Sequence, residues 1–371
     1  MSSATLPLIT EPRSTEAAAP FRLGYRPALD GLRGVAILAV LAVHTHHSFG
    51  WSLLKGGNVG VDIFFVLSGY LITTLLLEEW ENTSAINLKN FYWRRALRLV
   101  PALLVLLAAL YYLSDLLFSV GEAGATRRAM PVAFLYASDF ALAFFTIPLG
   151  ALQHTWSLAI EEHFYLVWPL LLAAFLKRGI SKRRLLVMTV VLALASALHR
   201  ATLHQLGALP VRTYYGIDAR ADALLIGCAT AMFVSWGFVR LESVRALLIP
   251  SLILIAVCLV ATDYATPVMH LGGFTLLAVA TAVVIINSVL STSSYSKEIL
   301  EVGPLVWVGR ISYGLYLWHY PVFKATNFLN ASWPVKLCVA VVLTVIVTSL
   351  SYYLIEQPAL SLKRKFKPQT A

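Results

Sequence analysis

Arg33 and His44 stand in one apolar run, DGLRGVAILAVLAVHTHHSFG. Charged and titratable side chains are costly in hydrocarbon, and where they occur they are usually functional. Their spacing adds a direction. Eleven residues at about 100° each make about three turns, so both side chains fall on one helix face, about 16 Å apart along the axis. A cation near one membrane surface and an imidazole deeper in describe a track. A long anionic molecule would lie along it, its charged end at Arg33 and its reactive end at His44.

Other residues extend this pattern. Arg94, Arg95 and Arg98 cluster in NFYWRRALRLVP, beside the belt-type aromatics Phe91, Tyr92 and Trp93. Alone they read as a positive anchor at the inner surface. Beside Arg33 they read as a phosphate clamp, because guanidinium forks match phosphate oxygens. In HTWSLAIEEHFYLVWP, Ser157 and Glu161 are i, i+4 and share a face. Glu161 lies about six residues into its helix and His44 about five residues short of the end of its own, so the two are expected at one depth in the outer third of the bilayer. A carboxylate that orients an imidazole is the usual way to make histidine a general base. His46 and His47 lie nearer the surface and read as solvated. Asp62 is expected to serve function or a buried partner. Arg220 and Asp222, in YGIDARADALLIG, either bind a polar acceptor or pair with other helices. His319, in ISYGLYLWHYP, either lines a kinked cavity or is a satisfied core histidine, and Glu356 reads as a helix-end partner for local arginines.

The elements that must position these groups are membrane helices. The chain of 371 residues is 58% hydrophobic and 13% charged, with a mean hydropathy of +0.74. That composition excludes a soluble domain and marks an all-α polytopic membrane protein. Apolar stretches fall near 30–49, 58–78, 99–118, 156–176, 184–203, 219–236, 246–262, 271–290, 308–326 and 335–356, about ten spans. The stretch 129–148, broken by Pro131, Asp139 and Pro148, reads as partly inserted or surface-lying, with an eleventh span as the alternative. Ten spans with both termini cytoplasmic put the clusters 177–184 and 363–367 inside, as the positive-inside bias requires. That bias and anionic lipid account for most of the net charge of +10, so no nucleic-acid partner is expected. Residues 1–25 read as a disordered cytoplasmic tail, 26–358 as the membrane domain and 359–371 as a basic cytoplasmic tail. Cys228, Cys258 and Cys338 all fall within spans, so neither a disulfide nor a metal site is expected.

Seven segments in register resemble the acyltransferase-3 family of integral membrane acyltransferases: RPALDGLRG with the Arg33–His44 spacing, GVDIFFVLSGYLIT, FYWRRALRLVP, TWSLAIEEHFYLVWP, RADALLIG, SYGLYLWHYP and IEQP. The resemblance covers nearly all of 26–358. It implies transfer of an acyl group, usually acetyl, from cytoplasmic acyl-CoA to a hydroxyl of a glycan or other acceptor at or beyond the membrane, in a bacterial inner membrane. By position, Arg33 and His44 match the family's signature pair, Arg94, Arg95 and Arg98 its basic motif, and Glu161 its acidic position. Many members carry an extracytoplasmic hydrolase-like domain after the last helix. This sequence, ending at Ala371, reads as the stand-alone form.

The expected mechanism places the acyl-CoA phosphates on Arg33, Arg94, Arg95 and Arg98, with His44 as base oriented by Glu161. An acceptor pocket would draw on Asp62, Ser157, Arg220, Asp222 and His319. Direct transfer and a covalent acyl-His44 both stay open. The alternative class is a secondary transporter or proton-coupled permease, since intramembrane His, Glu and Arg also build proton relays. A permease has no need of four arginines below one histidine. The sequence identifies neither the acceptor nor the oligomeric state.

Overall fold

The computed structural model describes residues 22–49, 54–292 and 295–362, without the side chains of His46 and His47. The expected tails, apart from 22–25 and 359–362, and the cluster 363–367 lie outside the described residues, as does the exposure expected of His46 and His47. Among the described residues every regular element is helical. The long helices are α1 (Pro27–Phe49), α2 (Val59–Thr83) and α3 (Leu88–Leu117). Next come the short α4 (Val120–Phe134) and α5 (Ser138–Phe145), then α6 (Trp156–Lys177), α7 (Lys182–Gln205), α8 (Pro210–Tyr215) and α9 (Ile217–Ser235). The C-terminal part holds α10 (Leu241–Arg245), α11 (Leu248–Ala261), α12 (Phe274–Leu290), α13 (Tyr295–Leu300), α14 (Gly303–Arg310), α15 (Ser312–Asn327), α16 (Trp333–Ser351) and α17 (Gln357–Ser361).

Eight helices among the described residues are long and apolar enough to cross a membrane. They coincide with eight of the ten expected spans. The other two are α9 and α15, one too charged and the other too short. α9 carries Asp218, Arg220 and Asp222, and α15 is only 16 residues long. The stretch with two prolines and Asp139 is a broken element: α4 and α5 meet at a bend of 117°.

The centre of the bundle is α2, α9 and α12, buried on most faces, whereas α7, α11 and α16 present leucine, valine and isoleucine outward. In lipid there is no hydrophobic drive between helices, so close approach depends on small residues. Gly69 of α2 and Gly227 of α9 supply it reciprocally. A Cβ on Gly69 would collide with the Leu224 carbonyl oxygen, and one on Gly227 with that of Val66. The two backbones therefore touch, and α2 and α9 form the wall on which the site rests.

Candidate active site

Two cavities lie end to end within the bundle. The larger, about 360 Å³, is lined by basic side chains. α3 starts at Asn87, whose side-chain oxygen accepts the Asn90 N–H at 2.9 Å. Its first turns then carry Arg94, Arg95 and Arg98 to the cavity wall, and α1 brings Arg33. Arg94 pairs with Glu79 at 3.6 Å. Arg95 pairs with Glu162 at 3.8 Å and lies on the Tyr165 ring at 3.4 Å. Arg33 donates to Ser312 Oγ from two nitrogens at 3.3 Å. Among the described residues no carboxylate pairs with Arg33 or Arg98. Four guanidinium groups line this cavity against the two carboxylates of Glu79 and Glu161, so its lining carries an excess of positive charge.

The second cavity, about 280 Å³, is lined by His44, His154, Gln153, Asn58 and the tyrosines Tyr214, Tyr215, Tyr264, Tyr316 and Tyr320. None of its lining residues is charged like those of the first. His44 Nδ1 lies 2.8 Å from the Val40 carbonyl oxygen. A carbonyl only accepts, so Nδ1 carries the proton and Nε2 is the basic nitrogen. His319, fully buried behind His44, brings its Nε2 to 3.3 Å from His44 Nδ1. His154 donates Nε2–H to the Leu317 carbonyl at 3.1 Å, which leaves its Nδ1 unprotonated.

Tyr316 and Val61 line both cavities. Tyr316 donates its only proton to the His154 carbonyl at 2.8 Å, so the 2.6 Å bond with Ser157 is donated by Ser157. This ring is the partition between the chambers. Four elements run past it. α1 carries Arg33 to one chamber and His44 to the other. α15 places Ser312 in the first, Tyr316 at the partition and Tyr320 in the second, a stripe of i, i+4, i+8. The turn Gly150–Thr155 gives His154 to the second chamber, and α6 then gives Ser157, Glu161 and Tyr165 to the first.

This geometry corrects several expectations. Glu161 stands in the arginine chamber and accepts a bond from Ser68 Oγ at 2.5 Å; it is not the neighbour of His44. Glu161 and His44 line different chambers because α6 is preceded by the turn Gly150–Thr155, which packs against α4 and carries His154 to the His44 cavity. That turn is pinned where the Ala151 N–H meets Thr126 Oγ at 3.0 Å and Ser138 meets Thr155 at 2.7 Å. Gly150 closes it at φ +55°, a backbone that other residues rarely adopt. His154, not Glu161, therefore lies in the chamber of His44. Ser157, expected in an acceptor pocket, lines the arginine chamber and bonds to Tyr316 at the partition.

Asp62, Arg220 and Asp222 line neither cavity. Asp62 pairs with Arg220 at 2.6 Å and Asp222 with Arg200 at 2.8 Å, all of them buried. Arg220 also lies 4.0 Å from the centre of the Phe274 ring, and Thr275 donates to Asp222 at 2.7 Å. Of the two readings for this group, pairing between helices is the one observed. His319 sits behind His44, not in the cavity lining. His154, Tyr316 and Tyr320 were missed. The signal for them was the place of His154 beside the Trp-Ser-Leu segment and the i, i+4 spacing of Tyr316 and Tyr320 around His319.

Two apposed cavities, one lined by four arginines and one bearing a histidine, lie inside a bundle of apolar helices long enough to cross a membrane. The chain belongs to the acyltransferase-domain family, whose match runs over residues 26–355. It is 39% identical over 355 residues to the peptidoglycan O-acetyltransferase OatA of Listeria monocytogenes, covering 90% of this chain and 56% of that protein. It is 32% identical over 352 residues to the O-acetyltransferase OatA of Staphylococcus aureus, again 90% of this chain and 57% of the relative. The chain thus spans a little over half the length of these relatives. No solved structure matches it.

Proposed function

We propose that this chain is a membrane O-acyltransferase that moves an acyl group, acetyl by preference, from cytoplasmic acyl-CoA to a hydroxyl of a cell-envelope glycan. The observation that carries this reading is the pair of chambers meeting at Tyr316, guanidinium groups on one side and His44 on the other. In this reading the CoA phosphates rest on Arg33 and Arg98, with Arg94 and Arg95 at the wall, and Glu161 is the counter-charge of the empty chamber. The pantetheine arm runs along α1 and brings the thioester past Tyr316. Its reach suits the separation of about 16 Å between Arg33 and His44.

His44 Nε2 takes the proton of the acceptor hydroxyl as that oxygen attacks the thioester carbonyl. The C–O bond forms, the C–S bond breaks, and the CoA thiolate takes the proton from His44 Nε2–H. The products are an ester and free CoA, with no net proton change. The uncharged, tyrosine- and amide-rich second chamber suits a sugar ring, which stacks on aromatic faces and hydrogen-bonds amides. The names of the relatives make a peptidoglycan sugar the first acceptor to try.

The test is CoA binding and acetyl transfer by the protein in nanodiscs. Arg33→Ala and Arg98→Ala should each weaken CoA binding, and added salt should reproduce part of the loss. His44→Ala should keep CoA binding and lose ~10²–10⁴-fold in transfer rate, the scale of a positioned base. Equal CoA affinity in all three proteins would sink the donor site.

A further inference from the structure

The aliphatic side chains that line the His44 chamber are three valines, Val40, Val43 and Val61. The rest of that lining, among the described residues, is histidine, amide or aromatic. Val40 and Val43 stand on α1 within about one turn of His44, and Val61 stands on α2 and lines the arginine chamber as well. The two helices touch through glycines. A Cβ on Gly57 would collide with the Ala39 carbonyl oxygen and the Val43 side chain, and one on Gly60 with the Ala36 carbonyl oxygen and the Val40 side chain. The Gly56 N–H donates to the Leu259 carbonyl of α11 at 2.9 Å, which ties the start of α2 to a third helix. Asp62 pairs with Arg220 of α9 at 2.6 Å. With Gly60 against α1 and Asp62 tied to α9, α2 is fixed in rotation, and Val61 between them is turned to the cavities. A valine in a helix holds essentially one rotamer, so these methyl groups do not swing aside.

In the proposed reaction the thioester comes from the arginine chamber and the base from the other, so the acyl group sits at the junction of the two. Its carbonyl is polar, but the rest of it is hydrocarbon and calls for an apolar wall. A sugar has no need of three valines beside the base; an acyl methyl does. We infer, on the acyltransferase reading above, that Val61 with Val40 and Val43 sets the length of the acyl group: the valine wall admits acetyl and turns away propionyl and longer chains. The wall is stiff because close-packed interiors resist an added methylene. Each of the three valines is at most 5% exposed, and the glycine contacts hold two of them in place.

The sign of the change separates a wall from a packing residue. Protein in nanodiscs receives acetyl-CoA and propionyl-CoA together, with a soluble chito-oligosaccharide as acceptor, and mass spectrometry counts the two esters. Competition reads the ratio of kcat/KM for the two donors, which does not depend on how much of a variant is folded. Wild type should favour acetyl by about 10–200-fold, the range for one methylene in a fitted pocket. Val61→Ala should shrink that preference by at least ~10-fold, and Val43→Ala should shift it the same way. Val61→Ile should raise it, because the added methylene takes up room. A valine that only packs helices would lower both donors alike, so an unchanged ratio in all three variants overturns the proposal. So does a wild type that prefers propionyl. Failure of the acyltransferase reading has another sign, a wild type that forms neither ester. The thioethers S-ethyl-CoA and S-propyl-CoA, which cannot transfer, then decide the wall by affinity alone. Wild type should bind the ethyl compound more tightly, and Val61→Ala should narrow the gap. Equal affinities in wild type would remove the wall.

Discussion

Two arginines that look alike in the sequence have opposite fates in the fold. Arg33 lines a cavity with no paired carboxylate among the described residues, whereas Arg220 is sealed against Asp62 with neither side chain exposed. Breaking such a buried pair leaves an unpaired charge, at a cost of about 3–5 kcal/mol. Asp62→Ala should therefore lower the melting temperature in detergent sharply. Asp62→Leu combined with Arg220→Met should recover most of it, because replacing both partners by apolar groups of similar volume is close to neutral. The KM for acceptor should not move in the double variant. An acceptor KM that rises while the melting temperature holds would return Asp62 and Arg220 to the acceptor site.

At the scale of the element, the partition is the informative feature. Ser312, Tyr316 and Tyr320 make one stripe on α15, and Ser157 of α6 donates to the middle member. Tyr316→Phe keeps the ring and loses two hydrogen bonds, each worth about 1 kcal/mol net. It should fold and retain most activity. Tyr316→Ala joins the two chambers. Water should then reach the thioester, so acetyl-CoA hydrolysis should rise relative to transfer. An unchanged ratio of hydrolysis to transfer in the Ala variant would show that Tyr316 separates nothing. The helices themselves were legible in the sequence, since hydropathy over about twenty residues is a local property. So was the Arg33–His44 stripe, which needs only the helical repeat. The partner of His44 was not. It depended on how the turn Gly150–Thr155 before α6 packs on α4 and α5, a tertiary fact. Likewise the pairing of Arg220 with Asp62 joins residues 158 positions apart, which no periodicity reports.

Across the whole molecule, the charge distribution predicts orientation. Lysine and arginine counts predict that both termini are cytoplasmic. A reporter fused at residue 371 should be active only in a cytoplasmic readout, and an outward-facing reporter would invert the C-terminal half. Two chambers in series also govern the order of events in time. In the proposed reaction donor and acceptor enter from opposite ends and meet at one ring, so each has its own door and neither must leave before the other arrives. Initial rates measured against one substrate at several fixed levels of the other should give intersecting double-reciprocal lines, and free CoA should compete with acetyl-CoA but not with the sugar. Parallel lines would mean instead that the acetyl group waits on the protein, with His44 as the first atom to look for it.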